Sequence, residues 1–205
     1  MVFCHRSRSL ASARTAGFRV GFYDHLGWAV AVTASRDHQV VDRRRIELLE
    51  PGLPNMPIHG PGMGQSREAV EALVARVRDS AERATAASLE ALTAALPSSI
   101  TSVHIRNLPA DFPSDIAIQL RPPYEARADA IMYRQVLAAV ARTRGWVVGF
   151  YDAKTAEADA VTILGRRADE VLRGPRDWLG PPWTKDHRTA LAATILAARS
   201  EYDGR

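Results

Sequence analysis

The chain has 205 residues, of which 46% are hydrophobic and 24% charged, and its formal net charge is +4. The length suits one α/β domain, and the composition is typical of a globular protein. A single cysteine excludes a disulfide or a cysteine-based zinc site within one chain, and no apolar run approaches the roughly 20 residues of a membrane span.

The positive charge comes almost entirely from arginine, because Lys154 and Lys185 are the only lysines. Arginine binds phosphate bidentately, which favours a nucleic-acid partner. A codon bias toward Arg and Ala explains the same excess, and the sequence leaves both interpretations open. Residues 1–17 are basic and lack an apolar segment, so they are no secretory signal. We expect them to form a flexible arm of a cytoplasmic protein.

Three strands are predicted at the start of the ordered chain. They span Phe18–Asp24, Trp28–Ala34 and Val40–Leu49, and short polar turns separate them. Such spacing predicts an antiparallel meander. The third strand carries Arg43 and Arg45, so one of its faces is expected to meet water.

The central part of the chain alternates between breakers and periodic segments. Residues 51–65 contain four prolines and four glycines, which predicts a loop or lid. From Ser66 to Leu96, apolar residues recur at steps of three and four, as in an amphipathic helix. Ser66 is the expected N-cap, and Pro97 closes the helix.

The last third of the chain continues with helices and strands. The predicted elements are a strand at Ile100–Ile105, a connection over 107–123, a helix at Tyr124–Arg144, a strand at Trp146–Tyr151, a short helix around Arg167–Leu172 and a final helix from Thr184 to about Arg199. The resulting order is β-β-β-α-β-α-β-α, which predicts a mixed sheet covered by helices, with right-handed crossovers after the third strand.

The tetrapeptide GFYD occurs twice, at Gly21–Asp24 and at Gly149–Asp152. The residues that follow the two copies differ, which speaks against a duplicated domain. We therefore expect two parallel strands that end at the same sheet edge, where open α/β sheets bind ligands. Asp24 and Asp152 would both lie at that edge. An acid after a strand is also a common turn former, and this alternative stays open.

Three segments resemble the RuvC-like resolvase branch of the ribonuclease-H-like superfamily. They are RVGFYDHLGWAVAV, ARADAIMYRQVLAAVARTRGWVVGFYD and WTKDHRTALAATIL. The resemblance implies a single α/β domain over 18–205, with a mixed five-stranded sheet and helices on both faces. It also implies a homodimer that acts on structured nucleic acid.

The resemblance further implies a site for two divalent ions, Mg²⁺ or Mn²⁺, held by converging carboxylates. Asp24 matches the first-strand acid, and Asp186 matches an acid of the final helix. The acid that the family carries after its fourth strand is absent, since this strand reads ITSVHIRNLP. Asp111, Glu125 and Asp152 are the candidate substitutes. Of these, Asp152 is expected as a third catalytic acid, and Asp152 and Glu125 as further metal ligands.

Six basic residues are candidates for contact with nucleic acid: Arg43, Arg45, Lys154, Lys185, His187 and Arg188. The first hypothesis for function is a metal-dependent nuclease or resolvase-like enzyme. The second is a catalytically degenerate member of the same fold that binds nucleic acid or protein. A third is a small-molecule enzyme that uses His59, His104 and Asp152.

Overall fold

The computed structural model describes the backbone of residues 17–203 and the side chains of residues 17–198. The predicted arm therefore lies outside the described residues, except for Gly17. In the described part of the chain, no helix combines the length and the apolar character that a membrane crossing needs.

The five strands form one mixed sheet. They are β1 (Phe18–Asp24), β2 (Trp28–Ala34), β3 (Val40–Glu47), β4 (Ile100–Arg106) and β5 (Val147–Tyr151). Their spatial order is β3-β2-β1-β4-β5. The first three strands pair antiparallel, whereas β4 runs parallel to both β1 and β5. The predicted meander and the predicted mixed five-stranded sheet are thus confirmed.

Helices cover both faces of this sheet, as predicted. They are α1 (Arg67–Ala94), α2 (Ile116–Gln119), α3 (Glu125–Thr143), α4 (Ala156–Leu164), α5 (Ala168–Leu172), α6 (Pro175–Leu179) and α7 (Lys185–Asp203). One core lies between the sheet and the helices α1 and α3. A second core lies between the opposite face and α4, α5 and α7.

Three of these helices were not predicted from the sequence. Helices α2 and α6 have only four and five residues. The only buried residues of helix α4 are Ala156 and Ala160, so the buried part of its apolar stripe consists of alanines. Such a stripe gives little hydrophobic periodicity, because alanine is common on helix surfaces as well as in cores.

The two GFYD copies lie in register on either side of β4. Gly21 and Gly149 are both paired with His104, so the two strands are parallel and end at the same edge, as predicted. At each glycine, a different neighbour leaves no room for a side chain. A Cβ at Gly21 would overlap the backbone carbonyl of Ala190 on α7, and one at Gly149 would lie 2.5 Å from the His104 ring.

The Pro/Gly loop (residues 51–65) is held against α3. The buried carboxylate of Asp129 accepts hydrogen bonds from the backbone N–H groups of Ile58, at 2.9 Å, and His59, at 3.0 Å. Burial raises the pKa of Asp129 above its ordinary value. The Tyr133 hydroxyl donates to the carbonyl of Asn55 at 3.2 Å. These contacts fix the position of Asn55 at the sheet edge described next.

Candidate functional site

The carboxyl ends of β1, β4 and β5 lie at one edge of the sheet, together with the start of β2 and the end of β3. We call this region the carboxyl edge. A cleft of about 400 Å³ opens here, which we call the edge cleft. Its walls are formed by Tyr23, Asp24, His25, Leu26, Trp28, Asn55, Arg106 and Ala130.

Asp24 lies at the floor of the edge cleft and is fully buried. Arg106 donates from Nε to Oδ1 at 2.7 Å and from Nη2 to Oδ2 at 2.6 Å. Arg134 on α3 donates from Nε to Oδ2 at 2.8 Å. The carboxylate oxygens of Asp24 therefore accept three hydrogen bonds from two guanidinium groups, a form of pairing that is strong when it is buried.

Both arginines are fixed in place by further contacts. Arg106 also donates to the backbone carbonyl of Asp24, and its guanidinium carbon lies 4.7 Å from the centre of the Tyr23 ring. Arg134 donates to the Asn107 carbonyl at 3.1 Å. Burial lowers the pKa of Arg106, but hydrogen bonding and attraction to Asp24 outweigh it, and the net shift is upward. Arg106 therefore stays a cation.

This arrangement does not fit a two-metal site at Asp24. A metal would have to displace guanidinium groups from the carboxylate and then remain beside their positive charges. Among residues 17–198, no group of three or more His, Cys, Asp or Glu side chains is placed to hold a metal ion. The predicted ligands Asp24, Asp186, Asp152 and Glu125 therefore do not come together as such a group.

The other three predicted acids have separate surroundings. Asp186 accepts a hydrogen bond at 3.0 Å from Nε2 of His25, so it does reach the carboxyl edge. Asp152 is exposed and accepts from the backbone N–H of Lys154 at 2.8 Å, which is the turn-forming alternative. Glu125 lies in the first turn of α3, and its Oε2 is buried without a hydrogen bond to the described residues.

Three of the six basic candidates hold the protein's own structure. Arg43 donates to the backbone carbonyls of the 179–182 segment that leads into α7. Nδ1 of His187 accepts from the backbone N–H and the hydroxyl of Thr184, and burial lowers the pKa of this imidazole. Arg188 donates to Glu157 on α4 at 3.1 Å.

The remaining three basic candidates face solvent at or beside the carboxyl edge. Lys154 follows β5 and Lys185 begins α7, and both are exposed. Arg45 on β3 is paired with Glu47 at 2.7 Å, with 53% of its side chain exposed. These three side chains can contact a ligand without breaking the fold.

Sequence reasoning missed a row of neighbouring rings along the edge cleft. The His25 ring lies 4.0 Å from the Trp28 ring and nearly parallel to it, at 12°. At the other end of the row, the centre of the Tyr23 ring lies 5.4 Å from the centre of the His25 ring, and the two rings are tilted by 54°. The guanidinium of Arg45 covers Trp28 at 4.0 Å. We call Arg106, Tyr23, His25, Trp28 and Arg45 the aromatic row.

A sequence signal for part of this row exists. Tyr23 and His25 are two residues apart at the end of a strand, a spacing that places side chains on the same face of a sheet. The participation of Arg106 and Arg134 has no such local signal, because 82 and 110 residues separate them from Asp24.

Comparisons with known proteins find similarity among solved structures. No family model matches the sequence, and no curated protein matches it. Among solved structures, the fold is similar to that of Thermus thermophilus RuvC in complex with Holliday junction substrate, at 11% identity and a TM-score of 0.46. A second Thermus thermophilus RuvC structure aligns at 12% identity and a TM-score of 0.45. Both alignments cover 91% of this chain and 96% of the other, and they assign no role to any residue here.

Proposed function

We propose that this protein is a catalytically degenerate ribonuclease-H-like module that binds nucleic acid without a metal ion. The observation that carries the proposal is the Arg106–Asp24–Arg134 cluster. Two guanidinium groups surround the one carboxylate that matches the first catalytic acid, and they leave one positive charge in excess.

The cluster has hydrogen-bond donors to spare for a phosphate. Nη1 of Arg106 and Nη2 of Arg134 donate to no residue in the described part of the chain. The two side chains are 22% and 16% exposed, whereas Asp24 is fully buried, and Arg106 lines the edge cleft. Guanidinium groups held in a fixed orientation suit the oxygens of a phosphate.

Exposed cations extend this surface. Lys154 follows β5, Lys185 begins α7 and Arg45 lies on β3, so three separate parts of the chain contribute cations at or beside the carboxyl edge. Lys154 and Lys185 form no ion pair within the described residues, so a polyanion can pair with them without breaking an existing ion pair. When a phosphate backbone binds across the edge, it releases its condensed counterions, and the affinity therefore depends on the salt concentration.

The test is equilibrium binding of fluorescently labelled DNA and RNA in EDTA over a series of salt concentrations. We expect binding that weakens with salt and does not need Mg²⁺ or Mn²⁺. Lys185→Gln should make the plot of log affinity against log salt shallower by about 0.7–0.9, the value of one phosphate contact. Arg36→Gln is the matched control, since Arg36 is exposed in the turn at the opposite edge of the sheet and should leave the slope unchanged.

Two results would contradict the proposal. One is binding that appears only when Mn²⁺ or Mg²⁺ is added. The other is cleavage of the nucleic acid in those metals that disappears in Asp24→Asn, because this would make Asp24 a metal ligand. The homodimer implied by the resemblance remains a prediction, which light scattering of the purified protein checks.

A further inference from the structure

We propose that the carboxyl edge takes a single strand of nucleic acid and stacks an unpaired base against Trp28. This inference rests on the proposed function and narrows its ligand class. Bases within a duplex are stacked on one another and cannot offer their faces to a protein ring, whereas bases of a single strand can.

The aromatic row is the first observation that points to unpaired bases. Tyr23, His25 and Trp28 form a continuous series of rings in the wall of the edge cleft. Arginines lie at both ends, with Arg106 over Tyr23 at 4.7 Å and Arg45 over Trp28 at 4.0 Å. Surfaces that bind single strands combine rings for the bases with cations for the backbone.

The second observation is the position of Arg45. Its planar guanidinium lies 4.0 Å from the Trp28 ring, and half of the side chain is exposed, so the ring face beneath it is on the solvent side. The planar guanidinium of Arg45 thus occupies the position over Trp28 that a stacked base would take. Its exposed partner Glu47 holds it only weakly, because exposed ion pairs contribute little. A base can therefore displace Arg45, which then becomes available to the phosphate.

The third observation is the shape of the cleft. A volume of about 400 Å³ falls within the range of small-ligand sites, and it suits one or two nucleotides rather than a helix. Asn55 of the Pro/Gly loop also lines the cleft, and its backbone carbonyl accepts a hydrogen bond from the Tyr133 hydroxyl. Its amide can hydrogen-bond to the edge of a stacked base.

The experiment compares ligands of equal length in EDTA: oligo-dT, oligo-rU, a DNA hairpin duplex and a four-way DNA junction. We expect both single strands to bind at least about tenfold more tightly than the duplex, since stacking adds to the phosphate contacts. The relative affinity of oligo-dT and oligo-rU distinguishes DNA from RNA as the preferred source of the strand.

The matched pair of variants is Trp28→Leu and Trp178→Leu. Trp178 is a tryptophan outside the cleft, and it is 56% exposed. Trp28→Leu should weaken binding of the single strands by about 5–150-fold, the range for the loss of one stacked base, and Trp178→Leu should leave it unchanged. Trp28→Phe retains a ring and should retain most of the affinity.

A separate measurement distinguishes the loss of stacking from misfolding of Trp28→Leu. Stacking quenches tryptophan fluorescence, so oligo-dT should quench the emission of Trp178→Phe and leave that of Trp28→Phe nearly unchanged. Equal affinity for duplex and single strand, together with quenching that survives in Trp28→Phe, overturns the single-strand inference but leaves the proposed function intact. Failure to bind any of the four ligands overturns the proposed function itself.

Discussion

The Asp24→Asn variant distinguishes two roles for Asp24: an anion that anchors arginines, and a metal ligand. In a metal site, neighbouring carboxylates repel each other when no metal is bound, so removing one charge leaves the apoprotein equally stable or more stable. In this protein the neighbours of Asp24 are cations. Asp24→Asn therefore leaves two guanidinium groups beside each other without their counterion.

The expected cost follows from the geometry of the cluster. Removing one partner of a buried ion pair costs about 3–5 kcal/mol, because the remaining charge is left uncompensated. Asp24 is fully buried, but Arg106 and Arg134 are 22% and 16% exposed, and water can solvate them in part. We therefore expect a loss at the low end, about 3 kcal/mol, which lowers Tm by about 6–12 °C in a chain of this size.

Urea unfolding in EDTA measures this loss directly. Asp169→Asn is the matched control, because Asp169 also pairs with an arginine, Arg173, at 2.8 Å, but both side chains are more than 70% exposed. That variant should be nearly as stable as the wild type. Phosphate in the buffer should restore part of the stability of Asp24→Asn, since it supplies the missing anion. Wild-type stability in Asp24→Asn without metal or phosphate refutes the anchoring role.

Three further predictions concern the fold that positions the edge. Gly21→Ala should destabilise the protein by about 1–3 kcal/mol or more in urea unfolding, because its methyl group overlaps the carbonyl of Ala190. Asp129→Asn should cost about 1–3 kcal/mol and speed proteolytic cleavage in the Pro/Gly loop, since one of the two backbone N–H groups that donate to Asp129 loses its acceptor. Burial lowers the pKa of His38 below 6.5, and the charges of Arg19 and Arg167 lower it further. The neutral His38 ring therefore contributes fully to the stability of the fold above pH 6.5, and this contribution is lost as the pH falls. The unfolding free energy should therefore decrease less between about pH 8 and about pH 5 in His38→Asn, which also suits the positive φ of this position, than in the wild type.

The sheet was predictable from the sequence because its signals are local. Each strand is a short apolar run with polar ends, and the GFYD repeat indicated two strands that end at one edge. Ser66 accepts a hydrogen bond from the backbone of Ala69 at 3.3 Å, as its predicted role of N-cap requires. Hydrophobic periodicity and capping act over a few residues, so they can be read without knowledge of the tertiary structure.

The carboxyl edge was only partly predictable, because its character depends on residues distant in the chain. The sequence placed Asp24 there, proposed basic residues for contact with nucleic acid, and showed no acid at the end of β4. It did not show that Arg106, which occupies that position, and Arg134 would both turn toward Asp24. Nor did it show that Arg43 and His187 would serve the protein's own loop and helix start. Such pairings depend on how β4, α3 and α7 pack, which no local pattern encodes.

An arginine-based site also explains the composition of the carboxyl edge. A two-metal site needs several acids to balance the charge of the ions. An arginine-based site needs only one acid, which serves as the shared counterion of the guanidinium groups. Asp24 can meet that need alone, with both oxygens engaged. The absence of an acid after β4 and the presence of Arg106 in its neighbourhood are then one feature of the site.

The most direct test is thermal unfolding of the wild type under two conditions, with millimolar Mn²⁺ and with oligo-dT in EDTA. A ligand that binds only the native state stabilises it by about 2.7 kcal/mol at about 100 times its Kd, which is readily seen as a rise in Tm. The account predicts a rise with oligo-dT and none with Mn²⁺. A rise with Mn²⁺ that disappears in Asp24→Asn would show that Asp24 binds metal and would contradict the account.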